Sequence, residues 1–265
     1  MCGVLGVPRS TYYWAISHPE PGRADDPIAG DVVRIYEDNR REYGAPKIKR
    51  ALAREGIVAS RRRIKRIMNQ KGLVSAYTRK KYKPRAAKAS EAGAPNVLDR
   101  EFDGYPAHTH IVSDLTYVRV GNKWNYVCLL IDLYNREIVG HAAGGRRDSR
   151  LVKAAFATLG FPLTDIEVFH TDRGSGFANS DIDDLLKAFD IRRSLSRRGD
   201  PYDNAVIEST NRILKKELVY RRAFTDLGQL RRELNSYVRW YNEERIHSTL
   251  GYMSPVEFRN AGLSL

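Results

Sequence analysis

Three acidic residues in this sequence have the side chains and surroundings that could hold divalent metal ions. Asp114 lies inside an apolar run, Asp172 follows the short apolar run 166–169, and Glu208 lies in a helical pattern; 35 residues separate the last two. Mg²⁺ prefers oxygen ligands, and a pair of such ions can align the attacking and leaving oxygens of a phosphoryl transfer. Any one of these acids alone would more often be a surface or capping residue, so the prediction rests on the three together.

The elements around the acids would bring them to one place. Residues 112–120 alternate as in a strand, with Asp114 on the face of three valines, where a charge is costly unless it is paired or binds a metal. Asp172 directly follows a strand, and α/β sheets place ligands at the carboxyl ends of their strands. Helical spacing puts Glu208 on a narrow polar arc beside an apolar arc that would face the core. The polar arc is Asn204, Glu208, Asn211 and Lys215, and the apolar arc is Ile207, Leu214 and Leu218.

The order of the predicted elements indicates an α/β fold. A meander of three strands comes first, followed by helix, strand, helix, strand and a long helix. The predicted strands are 112–120, 124–132, 137–143, 166–169 and 191–195, and the predicted helices are 148–159, 180–189 with Ser180 as its N-cap, and one that starts near 202. This is the order of a ribonuclease-H-like fold, a mixed five-stranded sheet flanked by helices.

Composition limits the class of protein. The 265 residues are 42% hydrophobic, which is enough for a core, and no apolar run approaches the roughly 18 residues of a membrane span. The only cysteines, Cys2 and Cys128, argue against a disulfide framework and against a Cys-rich zinc module. The N-terminus lacks a signal-peptide pattern, and no glycine-rich nucleotide loop is evident, so we expect a cytoplasmic protein with no membrane partner and no ATP site.

The positive charge is concentrated in one segment. Residues 28–90 hold 19 Lys and Arg against 5 Asp and Glu, whereas residues 91–265 hold 24 of each. The predicted helices here are 28–39, 46–55 and 61–70, the last with Ser60 as its N-cap. The last two fit a helix-turn-helix whose second helix would contact DNA, although a solvated basic surface is the simpler alternative. The predicted contacts are Arg61, Arg62, Arg63, Lys65 and Arg66.

These features divide the chain into five segments. The predicted segments are a partial helix-turn-helix tail with a linker at 1–27, a helix-turn-helix domain at 28–74, a basic linker at 75–96, a catalytic core at 97–222 and a helical extension at 223–265. The linker is expected to lie along DNA because its basic residues are interrupted by aromatic ones.

Several short motifs are distributed along the chain. Five lie around the acids: DLTY at 114–117, HTDRGS at 170–175, SLS at 194–196, GDPYDNA at 199–205 and ES at 208–209. Others are YN at 241–242 with Arg245 and His247, LGYMSP at 250–255, YG at 43–44 and GL at 72–73. Together they resemble the DDE core of insertion-sequence transposases, and in particular OrfB, the second-frame protein of the insertion-sequence-three family, which has a retroviral-integrase-like catalytic core. The resemblance covers nearly the whole chain.

The resemblance implies the chemistry and the partners. Asp114, Asp172 and Glu208 would be ligands of two Mg²⁺ ions, which Mn²⁺ could replace, and Lys215 would contact DNA ends. The enzyme would cut the ends of the element and join the freed 3′-hydroxyl to another strand, with a circular intermediate. Its partners would be double-stranded DNA, further copies of the chain and an upstream first-frame protein, in the nucleoid of a bacterium.

Other residues carry open alternatives. Arg197 and Arg198 precede the catalytic helix in a loop that would be either a DNA clamp or simply solvated, and His170 would either shape the site or pack. Asp132 is expected to support a turn. Where the family usually has Trp, Trp and Gln-Tyr, this chain has Ile111, His141 and Gly176-Phe177. A non-catalytic DNA-binding regulator and a structure-specific nuclease are the competing functions.

Overall fold

The structure, a computed structural model, describes residues 8–17, 25–75, 77, 95–197 and 201–265. It divides into two units, residues 1–75 and 76–265. Most of the predicted basic linker lies outside the described residues, as does Arg198. Within the described ranges, no helix combines the length and the apolar character needed to cross a bilayer.

The described part of the first unit contains four helices, α1 at Arg9–Ser17, α2 at Ala29–Asp38, α3 at Ala45–Arg54 and α4 at Arg61–Gln70. The last three bury apolar residues that recur at helical spacing. Their buried set is Ala29, Val32, Ile35, Tyr36, Ile48, Leu52, Ile64, Ile67 and Met68. The Ser60 hydroxyl accepts a hydrogen bond from the backbone N–H of Arg63 at 3.1 Å, so the N-cap predicted for α4 is confirmed.

A mixed sheet forms the centre of the second unit, and it has five strands in the described residues. They are β1 at His110–Val120, β2 at Lys123–Asp132, β3 at Ile138–Gly144, β4 at Val168–Thr171 and β5 at Arg192–Leu195. The strand order is β3-β2-β1-β4-β5. Strand β2 is antiparallel to both of its neighbours, β1 and β3, whereas β4 is parallel to both β1 and β5. The predicted ribonuclease-H-like fold is therefore confirmed.

The fourth strand begins and ends two residues later than predicted. Ile166 ends a single turn of 3₁₀-helix at Leu163–Asp165, so the strand begins only at Val168. It continues through His170 and Thr171, whose polar side chains do not signal a buried strand although both are fully buried here. The strand consequently ends at the residue directly before Asp172.

Helices flank the sheet and close the unit. They are α5 at Ser149–Phe156, α6 at Ser180–Ala188, α7 at Ala205–Glu217, α8 at Leu227–Glu243 and α9 at Pro255–Asn260. The predicted N-cap Ser180 is wrong, because the Asn179 side chain accepts the hydrogen bond from the Ile182 N–H at 3.1 Å. A 3₁₀ turn at Pro201–Asn204 precedes α7, which therefore begins three residues later than predicted.

Close packing of α5 on the sheet depends on Gly140 in β3. A Cβ atom at this position would lie 2.8 Å from both the Ala155 carbonyl oxygen and Leu130 Cδ1. From the C-terminal part of the chain, α8 contacts β3 through Asn242, whose side chain exchanges hydrogen bonds of 2.9 and 3.0 Å with the backbone of Ile138. Residues 223–265 therefore lie in the same unit as the sheet and cover part of it.

Candidate active site

The parallel register of β1 and β4 places two of the predicted acids side by side. Ser113 pairs with Thr171, and Asp114 and Asp172 are the next residues along the chain. Neighbouring strands lie about 4.8 Å apart, so two carboxylates in this register repel each other strongly. The structure brings Asp114 and Asp172 together at the carboxyl end of β4.

The surroundings of Asp114 disfavour its charge. Burial raises the pKa of Asp114 to about 6, and the charge of Asp172 acts in the same direction. Hydrogen bonds from the Leu115 N–H at 2.7 Å and from the Asn211 amide at 2.9 Å oppose the shift without cancelling it. A carboxylate held in this state at neutral pH is typical of a functional site that takes a cation.

Arg147 provides a partial counter-charge that the sequence interpretation missed. Its guanidinium, in the loop between β3 and α5, lies 3.5 Å from a carboxylate oxygen of Asp172. Gly174 leaves the room for this contact, because a Cβ atom there would lie 2.4 Å from Arg147 Nη2 and 2.9 Å from Asp172 Oδ1. The two consecutive arginines after Gly144-Gly145 are the only sequence signal, and nothing in it connects them to Asp172.

The third predicted acid lies on α7, the helix that contacts Asp114. Ile207, Leu214 and Leu218 of this helix are buried, as predicted, and Asn211 on its polar arc binds Asp114. Glu208 precedes Asn211 by three residues; its side chain is exposed, yet partial desolvation of the carboxyl group raises its pKa, opposed by Arg212. In the described part of the chain, no three His, Cys, Asp or Glu side chains converge closely enough to hold a metal ion. Asp114, Asp172 and Glu208 therefore do not form a closed set of metal ligands in this structure.

The residues at this position nevertheless fit a hard divalent cation. The Asn211 side-chain oxygen is buried and, among the described residues, has no hydrogen-bond partner. It belongs to the side chain that binds Asp114, beside two carboxylates that repel each other. Carboxylate and amide oxygens are the donors that Mg²⁺ prefers, and a cation would relieve the repulsion.

A polar cluster fixes the segment in front of α7. The buried carboxylate of Asp203 accepts hydrogen bonds from the Arg197 N–H at 2.9 Å and from Arg100 Nε at 3.1 Å. Burial acts to raise the pKa of Asp203, but these hydrogen bonds and the two arginine charges outweigh it, so the pKa is lowered. His170 joins β4 to this cluster, with contacts of 2.8 Å to the Ser194 hydroxyl and 3.0 Å to the Asp203 carbonyl oxygen. His170 is thus both a packing residue and a support of the site.

A second polar cluster holds the other end of α7. Glu217, its last residue, accepts two hydrogen bonds of 2.9 Å from the buried guanidinium of Arg245 and one of 2.9 Å from the Tyr237 hydroxyl. Tyr77 also donates to Glu217. The sequence interpretation included Arg245 only as part of a family motif and did not predict this ion pair.

The predicted DNA-contacting residues differ in how they are used within the chain. Arg63 and Arg66 of α4 both bind Asp26, with Arg63 Nη2 at 2.6 Å, and this holds the pKa of Asp26 at about 2. Arg197 pairs with Asp203 at 3.3 Å and with Asp99. Of the predicted contacts on α4, Arg61, Arg62 and Lys65 are exposed and form no ion pair among the described contacts.

Lys215 lies against an aromatic ring at the edge of the site. Its ammonium is 4.2 Å from the ring centre of Tyr117, and burial lowers its pKa while the charge of Asp114 acts to raise it. Asp132 supports a turn, as predicted, since it accepts hydrogen bonds from the backbone N–H groups of His108 and Tyr134 at 2.8 and 3.0 Å.

Of the four residues that depart from the family pattern, Gly176 lies close to the site, because a Cβ atom there would lie 2.4 Å from Leu115 Cδ1 and 3.7 Å from Arg147 Cγ. The other three lie in packing contacts. Ile111 and Phe177 are buried in the core beneath α5 and α6. His141 contacts Asn235 of α8 at 2.9 Å. These three positions therefore concern packing of the unit.

Two kinds of protein-family model match this chain, one for each unit. Models of the integrase core domain match residues 105–201 and 189–255, and a model of an HTH-like domain matches residues 23–81. The catalytic core domain of HTLV-2 integrase, solved in complex with magnesium, is 15% identical, with a TM-score of 0.45 over 57% of this chain and 95% of that one.

Curated relatives extend over almost the entire chain. The putative transposase InsK for insertion sequence element IS150 of Escherichia coli (strain K12) is 30% identical over 96% of this chain and 90% of that protein. A 31 kDa protein of insertion element IS600 from Shigella sonnei is 32% identical over 98% of this chain and 97% of that protein. With an integrase core, a helix-turn-helix-like domain and relatives of this similarity, the chain belongs to the insertion-sequence-three family of DNA transposases.

Proposed function

We propose that this transposase cuts DNA at the ends of an insertion sequence and joins the freed 3′-hydroxyl to another strand by direct, metal-dependent transesterification. The observation that carries the proposal is the register of β1 and β4, which sets Asp114 beside Asp172 next to the helix of Glu208. A protein that only bound DNA would gain nothing from two adjacent carboxylates, one of which has a pKa raised to about 6.

Asp114, Asp172 and Glu208 would hold two Mg²⁺ ions, for which Mn²⁺ would substitute. When bound, such ions activate the attacking oxygen and stabilise the leaving one. Asn211 orients Asp114 through its 2.9 Å hydrogen bond, and α7 carries both Asn211 and Glu208. Because the three carboxylates do not converge in this structure, holding the ions would require them to approach one another.

Two parts of the chain would divide the contact with DNA. Residues 28–74 would bind the terminal repeats through Arg61, Arg62 and Lys65, whereas Arg63 and Arg66 hold Asp26 and orient the segment before α2. In the catalytic core, at 97–222, Lys215 would position the DNA end. Further copies of the chain would assemble with it on DNA, and an upstream first-frame protein would be an additional partner.

Charge-removing substitutions test the acid set. Asp114→Asn, Asp172→Asn and Glu208→Gln should each abolish both end cleavage and strand transfer in Mg²⁺, while DNA binding in a gel-shift assay persists. Asp184→Asn, an exposed acid on α6, is the matched control and should retain activity. Substantial strand transfer by any one of the three variants would remove that residue from the proposed set.

Two substrates separate the competing functions. A structure-specific nuclease would cut the element end but would not join a pre-cut 3′-hydroxyl to a second duplex, and a regulator would do neither. Calcium should support DNA binding but little reaction, because its longer and looser coordination misaligns the reacting oxygens. Joining of a pre-cut end by the wild-type protein in Mg²⁺ is the expected result.

Lys215 is tested by comparison with a lysine of another helix. Lys215→Ala should impair positioning of the DNA end and reduce cleavage, while the exposed Lys187→Ala on α6 should have little effect. Equal cleavage by both variants would count against a contact between Lys215 and the DNA end.

A further inference from the structure

A row of exposed aromatic and cationic side chains lies on β1 and β2, beside α7. Tyr117 and Trp124 are 56% and 52% exposed, and their rings meet edge to face at 5.2 Å between centroids. The Arg119 guanidinium lies 5.4 Å from the Trp124 ring, and Lys215 lies over Tyr117. We call these four residues the aromatic ladder.

The ladder occupies the outer part of a sheet face whose inner part is core. Leu115 packs in the core beneath α5 and α6, and alternation along β1 directs Tyr117 and Arg119 to the same side. Arg119 pairs with Trp124 in the antiparallel register, so Trp124 lies on that side as well. Tyr117 and Trp124 are therefore exposed to solvent on a part of the sheet where polar residues are usual.

Two adjacent rings, each with a cation beside it, match the chemistry of single-stranded nucleic acid. Unpaired bases stack on aromatic faces whatever their sequence, and Lys or Arg beside the rings neutralises the phosphates between them. A duplex keeps its base faces stacked internally, so it would use the cations and leave the rings without a partner.

The ladder begins at the candidate active site. Tyr117 follows Asp114 by three residues on β1, about 10 Å along the strand, and alternation directs the two side chains to opposite faces of the sheet. Lys215 of α7 connects them, because its ammonium feels the charge of Asp114 and lies over the Tyr117 ring. Pairing of β1 with β4 ends at Ser113, so a DNA strand that leaves the carboxylates around this edge of β1 meets Lys215 and Tyr117 first and Trp124 next.

We propose that the aromatic ladder binds the unpaired terminal bases of a DNA strand that has separated from its complement at the DNA end. This inference rests on the proposed function, because it requires a DNA end to bind at the carboxylates. It adds a recognition element: the enzyme distinguishes an end with unpaired bases from a blunt one by stacking, before any bond is cut.

The test measures binding without metal, so that it does not depend on catalysis. The full-length protein in EDTA is titrated into two labelled duplexes of about 30 base pairs, one blunt and one with about five unpaired nucleotides at one end. The wild-type protein should prefer the second. Tyr117→Ala and Trp124→Ala should each reduce this preference by about fivefold to a hundredfold, the loss expected for one base–ring stack.

Conservative and distant variants control for folding. Tyr117→Phe and Trp124→Phe keep a ring and should keep most of the preference. Phe189→Ala, which removes an exposed ring next to β5, should keep all of it. Affinity for the blunt duplex and its dependence on salt should be unchanged in the ladder variants, because stacking releases no counterions.

Two results would overturn the proposal. An equal loss of affinity for both duplexes would make the ladder a duplex-binding or structural surface, and a change of oligomeric state in the ladder variants without DNA would make it a contact between copies of the chain. The proposed function is tested by a different measurement, the cleavage and strand-transfer assays. Absence of cleavage and strand transfer in the wild-type protein would refute that function, while the comparison of the two duplexes would be unaffected.

Discussion

Acidic residues at the two ends of helix α7 differ in their surroundings from those beside its middle. The acids at the ends are surrounded by cations and hydroxyl groups, whereas the acids beside the middle are neighbours of each other. Asp203 and Glu217, at the ends, accept hydrogen bonds from arginines and, for Glu217, from tyrosines. Asp114, beside the middle, has Asp172 as its neighbour and receives neutral donors and a distant arginine charge. The end clusters lower the energy of their charges, and the middle site does not.

The difference is the one expected between an acid that holds a helix and an acid that binds a cation. Arginine charges and hydrogen bonds stabilise the Asp203 carboxylate more than burial disfavours it, so its pKa falls. Asp114, which we propose as a metal ligand, has no comparable partner for its charge, so its pKa rises. The hydrogen bonds at its two ends hold α7 in place, and its middle presents Asn211 to Asp114.

The largest effect should come from breaking the C-terminal cluster. Arg245→Met would leave the buried Glu217 carboxylate without its cation and should lower the free energy of unfolding by about 3–5 kcal/mol, measured by urea denaturation. Arg239→Met removes an arginine from an exposed pair with Glu243 and should change it by less than about 0.5 kcal/mol.

A double variant checks the cause of that loss. Combining Glu217→Leu with Arg245→Met removes both charges, so it should recover much of the lost stability. No recovery would mean that packing by the two side chains, rather than the uncompensated charge, holds this end of α7.

The opposite sign is expected at the middle of the helix. The folded protein keeps a proton on Asp114 up to about pH 6, whereas the unfolded chain loses it near pH 3.9, so ionisation of Asp114 costs stability as pH rises between these values. Without metal, Asp114→Asn should therefore be more stable than wild type by about 1–3 kcal/mol at pH 7, with no such advantage near pH 4. Unfolding at both pH values in EDTA measures this, and a destabilised variant at pH 7 would contradict it.

Asp203→Asn should show the reverse pH dependence. Because its folded pKa is lowered, the Asp203 carboxylate contributes stability above its unfolded pKa of about 3.9, and that contribution disappears as pH falls through the folded pKa. The variant should lose about 1–2 kcal/mol at pH 7, since both arginine partners are half exposed, and nothing once the acid is protonated. An equal difference in free energy of unfolding between the variant and the wild type at both pH values would contradict this.

The smallest effect should separate paired from available cations on α4. Arg62→Ala should reduce the slope of log affinity against log salt by about 0.9 if it contacts one phosphate. Arg63→Ala should leave that slope almost unchanged and lower stability instead, because Asp26 already uses its charge. Equal slopes for the two variants would show that the pairing with Asp26 does not decide which arginine meets DNA.

Local patterns were sufficient for much of the architecture. Alternation and turns predicted the three-strand meander, helical spacing predicted the buried face of α7, and Ser60 marked the start of α4. These features depend on residues a few positions apart, whose periodicity follows directly from the geometry of strands and helices. The boundaries of β4 were missed because buried His170 and Thr171 owe their burial to neighbouring strands rather than to their own polarity.

By itself, the sequence determined which acids are candidates, the order of the elements that carry them and the segregation of positive charge into residues 28–90. Only the tertiary structure decided which charges meet: the register that sets Asp114 beside Asp172, Arg147 against Asp172, and Arg245 on Glu217. The physical reason is that a charge acts through space over a few ångströms. Residues separated by tens of positions reach that range only when strand register and helix packing bring them together, and the energies of the site are set by those contacts.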